Sequence, residues 1–576
     1  MKITWTVIIA LISLEIANAQ TTYTWTGTNS SDWNTGSNWV NNAVPSSNAN
    51  LAYFTATTSS TTPNLSVSET IGALEFTTTA TPAYTITTSS GATLTLDSAG
   101  DSADSGNTYL ITDISTAMGG ENLNGNVTIE NSTNAATGWT LRIETGGNLI
   151  FGTSSVLTLN AADTVDSSTS YEGNLSIEGT YSTAANIVFL WNPLGGNFYY
   201  DPTVQTLGTG AGLRSASGGS IELEQNFAGS AGIAISGTGY NGATGTVAAG
   251  LVYLDANGLN ETANVVMGDS AKSGNSTASY VATYVFGANA SGTAATTESG
   301  NITFENSQTY DQYTNDFDVA TGNTLTVSGK ITDSSATFGT GMTEAVEKTG
   351  AGTLILSNSA NSFVAPTTVV GGKLLITGNT TTGGTITVDS GAAFGGAGGT
   401  ITSTGITVAS GGGLSVSGGG AVTAGTMTLA LTGGTNTLDI SATAGTGAGE
   451  LTFVLGTAHD EVKLSSGTLV IGNGTLSLAD FTILAGSGFG AGTYTLFDTS
   501  SPAGINGTLA ANGLTETIGG YSYTLVEGVD AGTLDQNIDL DVIAVPEPGS
   551  LALMLFGGAA LWIMGWRYRR YSPVRA

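Results

Sequence analysis

Lys348-Thr349-Gly350-Ala351-Gly352-Thr353-Leu354-Ile355-Leu356, continued by Asn361-Ser362-Phe363, Thr367-Thr368-Val369 and Gly372-Lys373-Leu374-Leu375-Ile376, is the stretch whose reading decides the fold. Its Thr-Leu, Thr-Val and Lys-Leu alternations put apolar side chains on one face and polar ones on the other, the period of two that a half-buried strand requires. Glycines stand between them, where a corner needs backbone conformations that a Cβ disfavours. Residues 348–376 therefore read as three short strands joined by tight corners.

The same pattern runs outward in both directions. Thr85-Ile86-Thr87, Thr93-Leu94-Thr95-Leu96, Asn126-Val127-Thr128-Ile129, Val156-Leu157-Thr158-Leu159, Asn301-Ile302-Thr303-Phe304, Thr324-Leu325-Thr326-Val327 and Thr385-Ile386-Thr387-Val388 are all short alternations bounded by turn residues. The chain has 576 residues, 83 of them Gly, with 10% charged residues and much Thr, Ser, Asn and Ala. That composition is poor for helices and suits many short strands, so a helical bundle is excluded. Strands repeated in this way point to an elongated β-helix or solenoid. Stacked at the 4.7–4.9 Å strand spacing, roughly 20 coils make a rod on the order of 100 Å long. A string of β-sandwiches is the competitor, but it calls for better-filled cores with aromatics at regular intervals.

Both ends of the chain read as address labels. Lys2 precedes an apolar stretch from Ile3 to Leu14, and Ala17-Asn18-Ala19 supplies a small-x-small cleavage site before Gln20, so a signal peptidase is one expected partner. At the other end Val545-Pro546-Glu547-Pro548 resists helix and ladder alike, because proline lacks an amide donor and fixes φ. Ser550 to Trp566 then form an apolar run of 17 residues, about 25 Å as a helix and at the short end of what spans a bilayer. Arg567, Arg569 and Arg570, with Arg575 beyond, place the tail inside and the long body outside.

Val545 to Arg570 resembles the PEP-CTERM sorting signal of Gram-negative bacteria. The resemblance implies recognition of Pro546, Glu547 and Pro548 by an exosortase, a membrane-anchored precursor held through residues 550–566, and delivery to the cell surface or extracellular matrix. Residues 348–376 resemble the autotransporter-associated β-strand repeat, with Gly147-Asn148-Leu149-Ile150-Phe151 as a degenerate relative. Near the start, Tyr23-Thr24-Trp25-Thr26-Gly27, Trp33-Asn34, Asn38-Trp39 and Val44-Pro45 resemble the opening module that precedes such repeats. Three tryptophans there are expected to cap the open end of the solenoid; stacking on sugars is the other reading. The section from His459 to Asp541 has longer, more aromatic strands and resembles the closing β module of the same exported proteins.

The chemistry open to such a body is narrow. There is no Cys, which removes disulfides, thiol catalysis and Cys-ligated metals, and one His, His459, which supports neither a metal pair nor a relay and is expected at the surface. Lys2 and the four tail arginines fall outside the body, as do Glu15 and Glu547; seven bases and 41 acids remain, a charge of about −34. A polyanion repels nucleic acid. Asp316-Phe317-Asp318 and Asp539-Leu540-Asp541 each put two carboxylates on one strand face, expected to be solvated rather than to hold calcium. Gly395 to Gly399 and Gly411 to Gly413 lack a following helix or Lys-Ser/Thr and are turns, not a phosphate loop. No cofactor is implied.

The expected fold is all-β: an elongated solenoid with a C-terminal β cap module, an N-terminal signal peptide and a C-terminal transmembrane helix. The organisation reads as a signal peptide over 1–19, a solenoid with a Trp-rich cap over 20–343, the repeat region over 344–455, a β module and stalk over 456–544 and the sorting signal over 545–576. The expected function is non-enzymatic, structural or adhesive, with exopolysaccharide as a companion. A carbohydrate-active β-helix hydrolase or lyase and a secreted glycan-binding protein are the alternatives. If the body is a rod, small-angle scattering of residues 20–544 gives a radius of gyration well above the ~24 Å of a compact domain of about 525 residues; a compact value refutes it.

Overall fold

The structure is a computed structural model that describes residues 21–55, 58–77, 83–97, 109–113, 120–130, 132, 140–143, 148–160, 174–185, 187–191, 196–215, 218–236, 245–247, 250–268, 280–305, 312–333, 343–420, 423–500, 504–529, 535–545 and 548–570. It is nearly all β, in long parallel sheets. Two compact units divide it: Met1–Ser291 with Glu298–Asn315 and Thr337–Met342, and Gly292–Thr297 with Asp316–Ala336 and Thr343–Ala576. Each of the seven alternations quoted above falls in a strand.

In the first unit a single inward column shows how the coils are held. Leu149, Leu175, Phe198, Ile221, Val252 and Phe286 are parallel register partners in turn, and all six are fully buried. Parallel pairing brings each residue onto its counterpart one coil on, so the same side-chain class recurs at the same inward position. Each such burial contributes about 1.5–3 kcal/mol. The first strand, Thr21–Thr24, pairs with Asn50–Phe54 and is the outermost rung of its sheet.

Against that rung sit the tryptophans. Trp25, Trp33 and Trp39 are 1%, 0% and 2% exposed and pack around Phe54, with Trp33 and Trp39 edge-to-face at 4.7 Å. The indole of Trp25 donates to the Ser60 carbonyl at 2.8 Å and that of Trp39 to the Trp33 carbonyl at 2.7 Å. The sugar-stacking reading of these rings is thereby corrected: none offers a free face, because the local chain folds them into the end of the core.

The second unit realises the stretch that decided the fold. Strands Thr353–Leu356, Asn361–Phe363 and Thr367–Val369 make one turn of the coil, and Lys373–Ile376 starts the next. Leu354, Leu374, Phe394 and Leu414 stack in register at intervals of 20 residues, and the column continues through Leu451 to Phe481. Gly350 and Gly372 make the corners at φ +67° and +63°, where a Cβ would lie 2.2 Å from the carbonyl oxygens of Val319 and Gly352.

Within one sheet of the second unit parallel pairing ends at Gly492–Thr499, which pairs parallel with Glu461–Ser466 on one side and antiparallel with Gln536–Ala544 on the other. Tyr521–Val529 and Thr515–Ile518 add two more antiparallel strands. The transmembrane helix expected over residues 550–566 is corrected: those residues lie in one helix, α1 at Pro548–Arg570, which does not qualify as a membrane span. Among the described residues no helix is long and apolar enough to cross a membrane. An apolar run of 17 residues rises only about 25 Å against a hydrocarbon layer of ~30 Å.

Gly350→Ala should be costly, since it adds the steric clash to the left-handed backbone penalty; Gly91, at φ +83° with nothing within 4 Å of its Cβ position, carries only the backbone penalty. The expected losses are about 3 and about 1 kcal/mol. Amide hydrogen exchange in the adjacent strands of each variant measures them, and equal losses contradict the corner geometry.

Candidate functional site

Inward positions that break the apolar rule are where function is sought in such a coil. Lys348 is the register partner of Val369, which is followed by Val388 and Val408, yet it is 1% exposed. Its stem lies in the core and its ammonium reaches the corner, where it donates to the carbonyls of Thr349, Gly350 at 2.9 Å and Gly371 at 3.2 Å. Burial brings the Lys348 ammonium down to about 8, against the pull of Asp318 and Asp316. A small apolar cavity of about 10 Å³ lies beside the stem, between Phe317, Val346, Leu354 and Leu374.

Asp316 belongs to the same cluster, and its expected solvation is corrected. Asn315, Asp316 and Phe317 are buried in succession, so the alternation breaks and Asp316 turns under the next coil, where the Thr349 hydroxyl donates to its carboxylate at 2.8 Å. Burial pushes the Asp316 carboxyl up to about 6, opposed by that hydroxyl. Asp539 and Asp541 do sit on an outer face, half-exposed; the Thr493 hydroxyl donates to Asp541 at 2.6 Å.

The first unit has its own inward carboxyls. Glu261 is fully buried and accepts the backbone N–H groups of Phe227, Thr262 and Ala263, each at 2.8 Å. Glu298, also fully buried, accepts from the Gly300 N–H at 2.6 Å. Burial and the neighbouring Glu261 push Glu298 up to about 9. In the second unit Asp460 accepts from Ser417 and Val454, and Asp480 from Gly445 and Gly447. Each of these carboxylates satisfies amides at a turn, which is a structural task. Among the described residues no group of three or more His, Asp or Glu could hold a metal ion. His459 is partly exposed and meets Tyr494 edge-on at 5.7 Å.

These inward charges were missed in the sequence, although a signal exists: Lys348 lies two residues after Val346, and Glu298 two after Thr296, each on the inward phase of its strand. Of the sorting residues, Ala17, Ala19, Gln20, Pro546 and Glu547 lie outside the described residues. Val545 is 40% exposed, with its N–H donating to the Gly520 carbonyl at 2.8 Å. Pro548 opens α1 and Arg567, Arg569 and Arg570 stand in its last turn. The structure brings these together only as neighbours along one helix.

Two family models match the chain: the passenger-associated-transport-repeat over residues 346–376 and the PEP-CTERM protein-sorting motif over residues 544–570. No curated protein matches it. Among solved structures, the Haemophilus influenzae Hap adhesin is 11% identical with a TM-score of 0.17, over 85% of this chain and 64% of that one, so the chain spans under two thirds of it. A superposition so loose carries no argument. The chain thus carries a transport-associated repeat and a sorting motif that implies processing by an exosortase, the marks of an exported Gram-negative surface protein.

Glu298 gives a measurable consequence. Its raised pKa means that the folded state favours the protonated form, so its stabilisation is full below the ordinary value of 4.5 and is lost as pH rises through about 9. Glu298→Gln keeps an acceptor for the Gly300 N–H and removes the titration. Thermal unfolding should show the variant more stable than wild type at pH 8, by about 1–3 kcal/mol, and no more stable at pH 4. An unchanged difference across that range rejects the buried-carboxyl account.

Proposed function

We propose that this chain is a non-enzymatic, structural or adhesive surface or matrix protein, made as a membrane-held precursor and released by an exosortase. The observation that carries the reading is the order of parts: a body of register-locked coils that spends its inward charges on turn amides and carbonyls, followed by the sorting motif over residues 544–570. In this reading Ala17, Ala19 and Gln20 mark the leader cleavage, and Val545, Pro546, Glu547 and Pro548 are gripped by the processing enzyme. Helix α1 engages the membrane through its apolar side chains, which are exposed from Met554 to Trp566, while Arg567, Arg569 and Arg570 in its last turn meet the anionic head groups. The boundaries at residues 19, 343, 455 and 544 delimit leader, capped solenoid, repeat region and closing module. A strongly acidic body associates with exopolysaccharide through hydroxyls and neutral surface rather than through charge.

Replacing Pro546, Glu547 and Pro548 together with alanine should leave an intact membrane-held precursor, whereas wild type loses α1. Mass spectrometry of the mature C-terminus in the native host decides between them. Peptides from Leu551 to Arg567 at full abundance in mature wild type defeat the sorting reading, and turnover of any polysaccharide that is abolished by one Asp or Glu change defeats the non-enzymatic one.

A further inference from the structure

The antiparallel sheet of the second unit has two ends, and they differ in chemistry. At one end Gly519-Gly520, both with positive φ at +59° and +84°, close the hairpin between Thr515–Ile518 and Tyr521–Val529. The cross-strand pairs Ile518 with Tyr521, Tyr521 with Ala544 and Ser522 with Ile543 gather Ile518, Tyr521 and Ile543 there. Val545 is tied to the same end by its hydrogen bond to Gly520. Ile518 is 55% exposed, Ile543 63% and Val545 40%. Residues 517–523 and 542–545 carry no charge, the nearest acids along the chain being Glu516, Asp541 and Glu547. At the opposite end Val529 is exposed beside Glu527.

We propose that this uncharged tip lies against a lipid surface while the precursor is held. The proposal rests on the reading of α1 as the membrane-engaging segment. Only residues 546 and 547 separate Val545 from Pro548, and three residue steps reach at most ~11 Å. A helix start at the membrane therefore keeps the tip within that distance of it. Ile518 and Ile543 belong to successive cross-strand pairs, so they point to opposite faces of the sheet. A protein groove takes one face of a strand pair, whereas an isotropic apolar medium takes both. Tyr521, braced by Phe489 at 5.4 Å, suits the boundary between hydrocarbon and water.

The chain has no cysteine, so single introduced thiols report on their own surroundings. Ile518→Cys, Ile543→Cys and Val529→Cys in the full chain are labelled with an environment-sensitive fluorophore and added to phosphatidylethanolamine–phosphatidylglycerol vesicles, with flotation read first. The expected result is a chain that floats, with blue-shifted emission and several-fold weaker iodide quenching at 518 and 543 and none of this at 529. A chain that floats with all three sites equally quenched overturns the tip proposal and leaves the helix reading standing. A chain that does not float overturns both. Shielding of only one of 518 and 543, or shielding only when the processing enzyme is present, indicates a protein groove and also overturns it.

Discussion

Backbone hydrogen bonding between successive coils is the constraint on which everything else here depends. Each coil must offer its amides and carbonyls to the next, because a buried strand has no water to satisfy them. In a parallel ladder that requirement fixes register, and register fixes which side chains share a column. Leu354, Leu374, Phe394 and Leu414 are thus chosen by the coil beneath as much as by local propensity. The glycines follow from the same constraint. A corner that must return the chain at constant spacing brings its Cα against the carbonyl of the previous corner, as at Gly350 and Gly372, and no larger residue fits.

A column of identical residues has a weakness, since one coil can slip onto another without changing the pattern. Val369, Val388 and Val408 are interchangeable in this sense. Lys348 is not, because its ammonium ties the carbonyls of Thr349 and Gly350 to that of Gly371 in the next coil, and Glu261 ties the amides of Thr262 and Ala263 to that of Phe227, 34 residues back. A buried polar group adds little stability over an apolar one of the same size, but it makes the wrong register expensive. The inward charges are best understood as register marks.

Strand identity was legible in the sequence because a period of two survives even in strands of three or four residues: Thr324–Val327 and Ile386–Val388 stand where the alternation puts them. The inward Lys348 was not, because a lysine flanked by Glu347 and Thr349 looks like solvated surface until the phase set by Val346 is carried one step further. Asp316 was misplaced for a different reason. Its strand buries three residues in succession, and a break in phase has no signature in composition. The tryptophans near the start were legible as a pattern, and only the neighbouring Phe54 and the carbonyls of Ser60 and Trp33 show which of their two uses the fold selects. At the other end, the apolar run and its arginines were plain, while the length needed to span a bilayer left the outcome to a margin of a few ångströms.

Parallel stacking has no natural end, and the two ends of this chain meet that problem in different ways. At the first rung, Thr21–Thr24 leaves an outer edge, and the chain folds three indoles against the column behind it so that no apolar layer is left open. At the last coil the solution is a change of direction. Gly492–Thr499 takes an antiparallel partner, and the sheet runs on through Tyr521–Val529 to Thr515–Ile518, four exposed residues including Glu516, which form the edge. Short, charged edges resist pairing with another chain. The reversal also sets where the polypeptide leaves: Gln536–Ala544 lies inside the sheet, paired on both sides, so Val545 emerges from a braced strand.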